Sequence, residues 1–173
     1  MYKDGDEMKV EIKRTKLSDA KELRELMNCE EVIKQLIGYQ YPCPLSHIKK
    51  DISNGLKDWK KKKAYPFTIL VDKKIAGQII LENPNKEKGR YDIGFFIGKK
   101  YWNKGVATKA VKETIKFGFK TLKLYRIQGD NDSDNLASGK VMKKAGFKFE
   151  GKRKKINKKN GKYIDLLLWG KTK

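Results

Sequence analysis

The sequence predicts an α+β domain built on a mixed, mostly antiparallel sheet of about seven strands flanked by helices. Three observations point to it. Helical and strand-like patterns mix along the chain without strict β-α-β alternation, which disfavours an all-parallel sheet. Two pairs of β-rich runs, within 67–81 and 147–169, are separated by short polar turns, as antiparallel hairpins are. A length of 173 residues gives one domain with a full core. The expected organisation is a charged, frayed segment at 1–8 and a single domain over 9–173.

Taken in order, Val10 to Ile12 alternates as a first strand. Ser18 is placed to N-cap a helix with Ala20, Leu23, Leu26 and Met27 on one face and Leu17 as a hydrophobic staple. Asn28 is placed to cap a second short helix carrying Val32, Ile33, Leu36 and Ile37, stopped by Gly38. Tyr39 to Pro44 reads as a loop. Ser46 is placed to cap a third helix, where Ile48, Ile52, Leu56 and Trp59 recur at helical spacing. Phe67 to Val71 and Ile75 to Leu81 form a hairpin, and Asn83 to Arg90 reads as a polar loop. Tyr91 to Ile97 is apolar on both faces at its end, as in a strand buried mid-sheet. The amphipathic helix after it, running to Lys120, buries Ala110, Val111, Thr114 and Ile115. Leu124 to Gln128 is a strand, and Asn135 to Ala145 a helix ended by Gly146. Phe147 to Ile156 and Tyr163 to Trp169 close the chain as a hairpin across Asn157 to Gly161. No internal repeat appears.

Between the central strand and its helix lies a loop of small residues. Gly105 and Ala107 leave N–H groups uncovered at the helix start, where unpaired donors and the positive dipole end favour a phosphate. Lys100, Lys104 and Lys109 add cationic charge. The spacing is neither the dinucleotide G-x-G-x-x-G nor the P-loop pattern. The run Trp102-Asn103-Lys104-Gly105-Val106-Ala107 resembles the pyrophosphate-binding loop of the GCN5-related N-acetyltransferases, in which Gln or Arg precedes Gly by three residues and Gly or Ala follows two later. Trp102 departs from the first position. The departure is the usual form in the subgroup similar to ribosomal-protein N-terminal acetyltransferases. Asn135 to Ser138 with Val141 to Phe147, Phe149 to Arg153, and Asp165 to Trp169 resemble later segments of the same subgroup, so the resemblance spans about residues 9–170 in order.

The resemblance implies a sheet whose two central strands diverge at one end, admitting the pantetheine arm of acetyl-CoA. That arm would pair with the backbone of Phe95, Phe96 and Ile97, while Trp102, Asn103, Lys104, Gly105, Val106 and Ala107 hold the diphosphate. Asn135 would hold the pantetheine or N-cap its helix. Asp92 stands where similar enzymes often keep a carboxylate that draws the proton off the amine, directly or through water. The other reading of Asp92 is a solvated strand-edge carboxylate. Ser138 would return a proton to the thiolate or position it, or simply satisfy backbone groups in its helix. The tyrosine some relatives use as acid is absent, Phe147 and Phe149 standing there instead. A backbone N–H near Phe96 or Ile97 would meet the oxyanion. Tyr39 and Tyr41 would line one wall of the acceptor site. The opposite wall would be the basic run Lys152 to Lys162, repelling polyamines and attracting acidic peptides or ribosomal RNA, if it is more than a solvated face.

Acetyl transfer to nitrogen needs a neutral amine. A lysine amine is neutral in about one molecule in 2,500 at pH 7, an α-amine in roughly one in seven. The expected reaction is therefore direct transfer from acetyl-CoA to a primary amine, first of all the N-terminal α-amine of a protein or peptide such as a ribosomal protein. A polyamine or antibiotic amine is the alternative on the same fold. Charge keeps a further class open: 42 Lys and Arg against 21 Asp and Glu give +21, the footprint of a non-catalytic RNA-binding domain. Yet only five of those cations are Arg, the residue that bidentate phosphate and base recognition favours. A coenzyme site with a regulatory role is a third reading. Cys29 and Cys43 are expected as free thiols, and Cys43 with His47 makes a weak nucleophile pair at best. No Cys/His cluster calls for a metal. A polar start and the lack of any long apolar run predict a cytoplasmic protein, monomer or homodimer.

Overall fold

The computed structural model describes residues 8–36, 38–85, 89–159 and 161–173. Its strands are β1 (Val10–Arg14), β2 (Tyr65–Val71), β3 (Lys74–Asn85), β4 (Arg90–Ile97), β5 (Arg126–Asp132), β6 (Lys148–Lys159) and β7 (Lys162–Thr172). Its α-helices are α1 (Ala20–Met27), α2 (Glu30–Ile33), α3 (Leu45–Lys60), α4 (Val106–Lys116) and α5 (Leu136–Lys144). The strands form one seven-stranded sheet in the order β1-β2-β3-β4-β5-β7-β6. Only β4 and β5 run parallel, because α4 carries the chain back across the sheet between them. The α+β architecture with about seven mostly antiparallel strands is as expected.

Strand alternation divides the core into two layers. Phe67, Ile69 and Val71 of β2, Ile79 and Leu81 of β3, and Tyr91, Ile93 and Ile97 of β4 face α4, whose Val106, Ala110, Val111 and Ile115 close that layer. Each fully buried aliphatic side chain there is worth about 1.5–3 kcal/mol. On the other face Phe96 packs with Leu23, Met27, Val32, Ile48 and Ile52 of α1, α2 and α3. Trp59 sits between edges of Tyr65 and Phe67, 5.0 and 5.2 Å between centroids, with Arg14 over its ring. β3 and β4 approach so closely at Gly77 that a Cβ there would collide with the Phe96 carbonyl, so glycine is required at this point.

Several local expectations are corrected. Ser18 caps nothing by its side chain; it lies in a 3-10 turn, Leu17–Asp19. Asp19 does the work instead, accepting the Lys16 N–H at 3.0 Å, and Leu17 is 48% exposed rather than a staple. Asn28 does not cap α2; its Oδ1 takes the Cys43 N–H at 3.0 Å and pins the 39–44 loop. Ile37, expected on that helix, lies outside the described residues, as does 1–7 of the segment expected to fray. α3 starts at Leu45 after Pro44, with no side-chain cap from Ser46. Much of the loop expected at 83–90 is strand: β3 runs through Pro84 to Asn85, with a register shift between Glu82 and Asn85 that accommodates a residue lacking an N–H. α4 ends at Lys116 in a π-type turn, Phe117–Thr121. Leu124 belongs to the connection that follows, donating to Gly118 O at 3.0 Å, so β5 lies later than expected, where its acidic residues hide the β pattern. The last hairpin runs further toward its turn, to Lys159 and Lys162, and β7 continues to Thr172, while β6 starts at Lys148 rather than Phe147; ladder pairing overrides the weak β-propensity of lysine.

Asp19 anchors the start of the fold. It is 4% exposed and accepts from Thr68 Oγ1 at 2.7 Å and Lys13 Nζ at 2.9 Å, besides Lys16 N–H. Burial alone would raise its carboxyl pKa, but Lys13, the Lys16 amide and Thr68 together hold it below the ordinary carboxylate range. Asp19→Ala is predicted to cost about 3 kcal/mol, because the buried Thr68 hydroxyl and the partly exposed Lys13 and Lys16 donors lose their acceptor. The native contribution is full above the unfolded carboxyl pKa of about 3.9 and is lost as pH falls through the lower folded value. Urea titrations of both proteins should therefore show a gap at pH 7 that shrinks toward pH 2.5. An equal gap at both pH values would contradict this account.

Candidate active site

The sheet opens at its centre. β4 and β5 pair only at Arg90↔Arg126, Tyr91↔Ile127 and Asp92↔Gln128, after which β4 stays with β3 as far as Ile97 and β5 stays with β7. Gly98 N–H donates to Ala76 O at 2.9 Å. With the register Gly77↔Ile97, this turns the backbone groups of Phe96 toward β3 and those of Phe95 and Ile97 toward the opening. The expectation of an amide near Phe96 or Ile97 is thus narrowed: Phe96 is committed to the ladder, and Phe95 and Ile97 face the gap. The Ile97 carbonyl is already taken, accepting from Trp102 Nε1 at 2.7 Å.

This indole bond ties the loop after β4 to the strand it leaves. A 3-10 turn, Lys99–Tyr101, leads into it, and Asn103 and Gly105 both have positive φ, 59° and 73°. Gly105 is the N-cap of α4 and offers no side-chain cap. The first helical bond between backbone groups is Lys109 N–H to Gly105 O at 3.0 Å, leaving the amides of Val106, Ala107 and Thr108 ahead of it without helical acceptors. Two left-handed residues before a bare helix N-terminus make a concave nest for an anion.

A cavity of about 680 Å³ joins this nest to the opening. Its lining holds Phe95, Phe96, Ile97, Trp102, Asn103, Gly105, Val106, Ala107 and Asn135, together with Ser138. Lys104 is exposed and outside the lining. Neither Lys100 nor Lys109 lines it; Lys100 lies against the Tyr101 ring and Lys109 reaches Met8 O at 3.2 Å. The cations that do line it are Lys34, Lys140 and Lys144, which motif spacing did not single out because they come from other elements. Lys99 instead pairs with Glu31 at 2.6 Å; this bond and that from the Cys29 thiol bring the Glu31 pKa down to about 2.

A second cavity, about 640 Å³, lies on the opposite side of the opening, between β3, β4, β5 and helices α1 and α3. The two share Gln35, Leu36, Phe95, Phe96, Asn135 and Ser138, so they meet at the start of α5. Asp92 lines the second cavity at the fork itself, half-buried, its Oδ1 buried without a hydrogen-bond partner. It is not a solvated strand-edge carboxylate. Glu82 is its cross-strand neighbour, and burial followed by the Asp92 charge pushes the Glu82 pKa up. Asp130, two residues past the fork on β5, is pushed up by burial, Asp92 and Asp132.

Asn135 is the N-cap of α5, its Oδ1 taking the Ser138 N–H at 3.2 Å. Asn131, which the sequence did not single out, holds this corner in place. It is 5% exposed, accepts from Trp169 Nε1 at 2.7 Å and donates to the carbonyls of Asp132 and Asn135 at 2.8 and 3.2 Å. Tyr39 lines the second cavity, donating to Asp51 at 2.8 Å and stacked on His47. Burial and Asp51 raise its phenol pKa. Tyr41 is 52% exposed and outside the lining. The hairpin 152–162 supplies no described residue to that wall either; β7 contributes Leu166 instead. Cys43 is buried and His47 pairs with Asp51 at 3.3 Å, so they form no nucleophile pair. Among the described residues no His, Cys, Asp and Glu group is arranged to hold a metal, and no helix is long and apolar enough to cross a membrane.

Comparison with known proteins gives this geometry a setting. The model of the acetyltransferase (GNAT) domain family matches residues 9–148. The chain is 28% identical to the uncharacterized N-acetyltransferase p20 of Bacillus licheniformis over 94% of this chain and 92% of that protein. It is also 28% identical to the putative ribosomal N-acetyltransferase YdaF of Bacillus subtilis, over 90% and 86%. Among solved structures, RimL, a ribosomal L7/L12 α-N-protein acetyltransferase in complex with coenzyme A, superposes with a TM-score of 0.87 at 18% identity, covering 94% of this chain and 93% of that one.

Trp102→Phe is predicted to free the Ile97 carbonyl and loosen the loop. Removing one hydrogen bond of about 1 kcal/mol should raise amide hydrogen exchange across 99–106 roughly fivefold, with the sheet amides of β2 and β3 unmoved. Unchanged exchange in the loop would show that the indole bond does not hold it.

Proposed function

This chain belongs to the GNAT acetyltransferase family and is an N-acetyltransferase; on that premise we propose that it transfers an acetyl group from acetyl-CoA directly to a primary amine. The acceptor we favour is the N-terminal α-amine of a protein or peptide. The observation that carries the reading is the fork: the backbone groups of Phe95 and the amide of Ile97, turned away from the β3 ladder, lie between an anion nest and a carboxylate-bearing cavity. Charge alone had left a non-catalytic RNA-binding domain open, and family membership closes that alternative.

The residues present fit the coenzyme. The Val106, Ala107 and Thr108 amides suit its diphosphate, with Lys34, Lys140 and Lys144 adding positive charge. Phe95 offers a backbone donor and acceptor and Ile97 a donor for a strand-like arm. The Ile97 acceptor is reserved by Trp102. When bound, the coenzyme supplies an acyl group on a sulfur leaving group.

On this side of the reaction the protein has three tasks. Asp92, in the acceptor cavity, takes the proton that the amine sheds, directly or through water. The Ile97 or Phe95 amide donates to the carbonyl oxygen as it gains negative charge. The new C–N bond forms as the C–S bond breaks, and Ser138, where the cavities meet, donates a proton or a hydrogen bond to the departing sulfur. Asn131 and Asn135 position Ser138 by fixing the first turn of α5. The α-amine preference rests on the larger neutral fraction of such amines at pH 7, and the putative ribosomal N-acetyltransferase YdaF, a relative along most of the chain, supports a ribosomal protein as acceptor.

A screen of peptide N-termini, polyamines and aminoglycosides for acetyl-CoA-dependent CoA release tests the reaction. Asp92→Asn should lower kcat about a hundredfold and Ser138→Ala about tenfold. Gly105→Val should weaken acetyl-CoA binding at least tenfold, since a branched side chain at φ 73° is strained and covers the nest. Unchanged coenzyme affinity in that variant would misplace the diphosphate site.

A further inference from the structure

The acceptor cavity runs against the charge of the molecule. Lys and Arg number 42 in the chain against 21 Asp and Glu. Among the described residues that line this cavity there are six carboxylates, Asp51, Asp58, Glu82, Asp92, Asp130 and Asp132, and no Lys or Arg at all. The coenzyme cavity beside it has Lys34, Lys140 and Lys144 in its wall. With Glu31 and Asp134 also in that wall, the same sheet opening presents both signs of charge to one side and only negative charge to the other.

Some of those carboxylates are already answered. Lys159 pairs with Asp132 at 2.6 Å and Asn157 donates to it at 2.5 Å. Tyr39 and His47 serve Asp51. Glu82, Asp92 and Asp130 enter no ion pair among the described residues. They are also neighbours. Glu82 pairs in register with Asp92, and Asp92 with Gln128, which puts Asp130 two residues along on the same face. Arg153 is near enough to act on Asp130, but it does not line the cavity. Two buried acceptor atoms, Asp92 Oδ1 and Gln35 Oε1, lack any donor, and both residues are in the wall. What is missing is a set of N–H donors with positive charge.

The reacting amine cannot supply that charge during the reaction. It must be neutral to attack, and the proton it sheds passes to Asp92, so Glu82 and Asp130 are left facing the cavity with no cation in its described wall unless the acceptor brings one. We propose that the acceptor carries a second positive group besides the reacting amine, and that Glu82 and Asp130, on either side of Asp92, select for it. The inference rests on the acetyl-transfer reading and narrows it to dicationic amines. A cavity of about 640 Å³, reaching from the fork to Asp51 and Asp58 of α3, has room for both groups. The chemistry is shared by short diamines and polyamines and by a peptide N-terminus followed by a basic residue. It also corrects the expectation that this site repels polyamines, which had assumed a lysine wall that lies elsewhere.

The test compares CoA release with 1-aminohexane against 1,6-diaminohexane, and with Ser-Ala-Ala-Ala against Ser-Lys-Ala-Ala. At least one dication should exceed its singly charged analogue about thirtyfold in kcat/KM, and the ratio should fall as salt rises from 20 to 300 mM. Whichever pair shows the larger ratio tells a small polyamine from a basic peptide. Glu82→Gln and Asp130→Asn, made separately, should each cut that ratio by about threefold to tenfold. Calorimetry of 1,6-diaminohexane and Ser-Lys-Ala-Ala on the CoA-bound protein, wild type and variants, reads the same selection without turnover. Equal kcat/KM for both members of each pair would overturn the inference and leave acetyl transfer standing. Absence of CoA release with every acceptor would instead sink the reaction, and the calorimetry would then decide selection alone: no measurable binding of either dication would overturn it too.

Discussion

The parting of β4 from β5 is the constraint on which the rest of this molecule depends. Parallel pairing lasts for three residue pairs and then stops, although each strand goes on, held by its other neighbour. Backbone donors left unpaired inside a protein are costly unless something answers them, so the gap persists only because it lies between two cavities. α4 is what makes this possible. Its buried face, Val106, Ala110, Val111 and Ile115, packs on the β4 side of the core, and its bare N-terminus points its amides into the same opening. One helix thus both closes the core and lines the opening.

Electrostatics divides the two sides of that opening. Lysines from α2's exit and from α5 line one cavity, and carboxylates from β3, β4 and β5 line the other. A protein of +21 has no shortage of cations with which to neutralise carboxylates, and it does so in the cavity wall at Asp132 through Lys159, and elsewhere at Asp165 and Glu150 through Lys152 and Arg126. Glu82, Asp92 and Asp130 are left out. Burial and the neighbouring acidic groups raise the pKa of two of them, Glu82 and Asp130. The buried Asn131 bridge between Trp169 and α5 keeps Ser138 where the two regions meet.

The loop and its helix were legible because their chemistry is local. Gly105 is needed for a positive φ, Trp102 and the small residues stand in fixed order, and the apolar face of α4 repeats at helical spacing. Ser138 and Asn135 were legible for the same reason, as neighbours at the start of one helix. Glu82 and Asp130 were not, since each is a lone acidic residue in its own segment, and only cross-strand register brings them beside Asp92. A further sign was present in the run Asp130 to Asn135, acidic within a basic chain, but it reads equally as a polar turn. Errors at element ends have a common cause. The ladder extended β3, β6 and β7 through residues of poor strand propensity, and the Asp19 carboxylate displaced the expected Ser18 cap because it also satisfies Thr68 on a distant strand.

By itself, then, the order of residues determined the nest at the start of α4, which rests on groups close in sequence, and, through periodicity and the order of motifs, the mixed sheet and the family to which the chain belongs. Tertiary structure decided which backbone amides face the gap, that Trp102 claims the Ile97 carbonyl, and that the acceptor side is anionic. Those follow from strand register and from where three separate carboxylates converge, and register is set by the packing of the whole sheet rather than by any one segment of it.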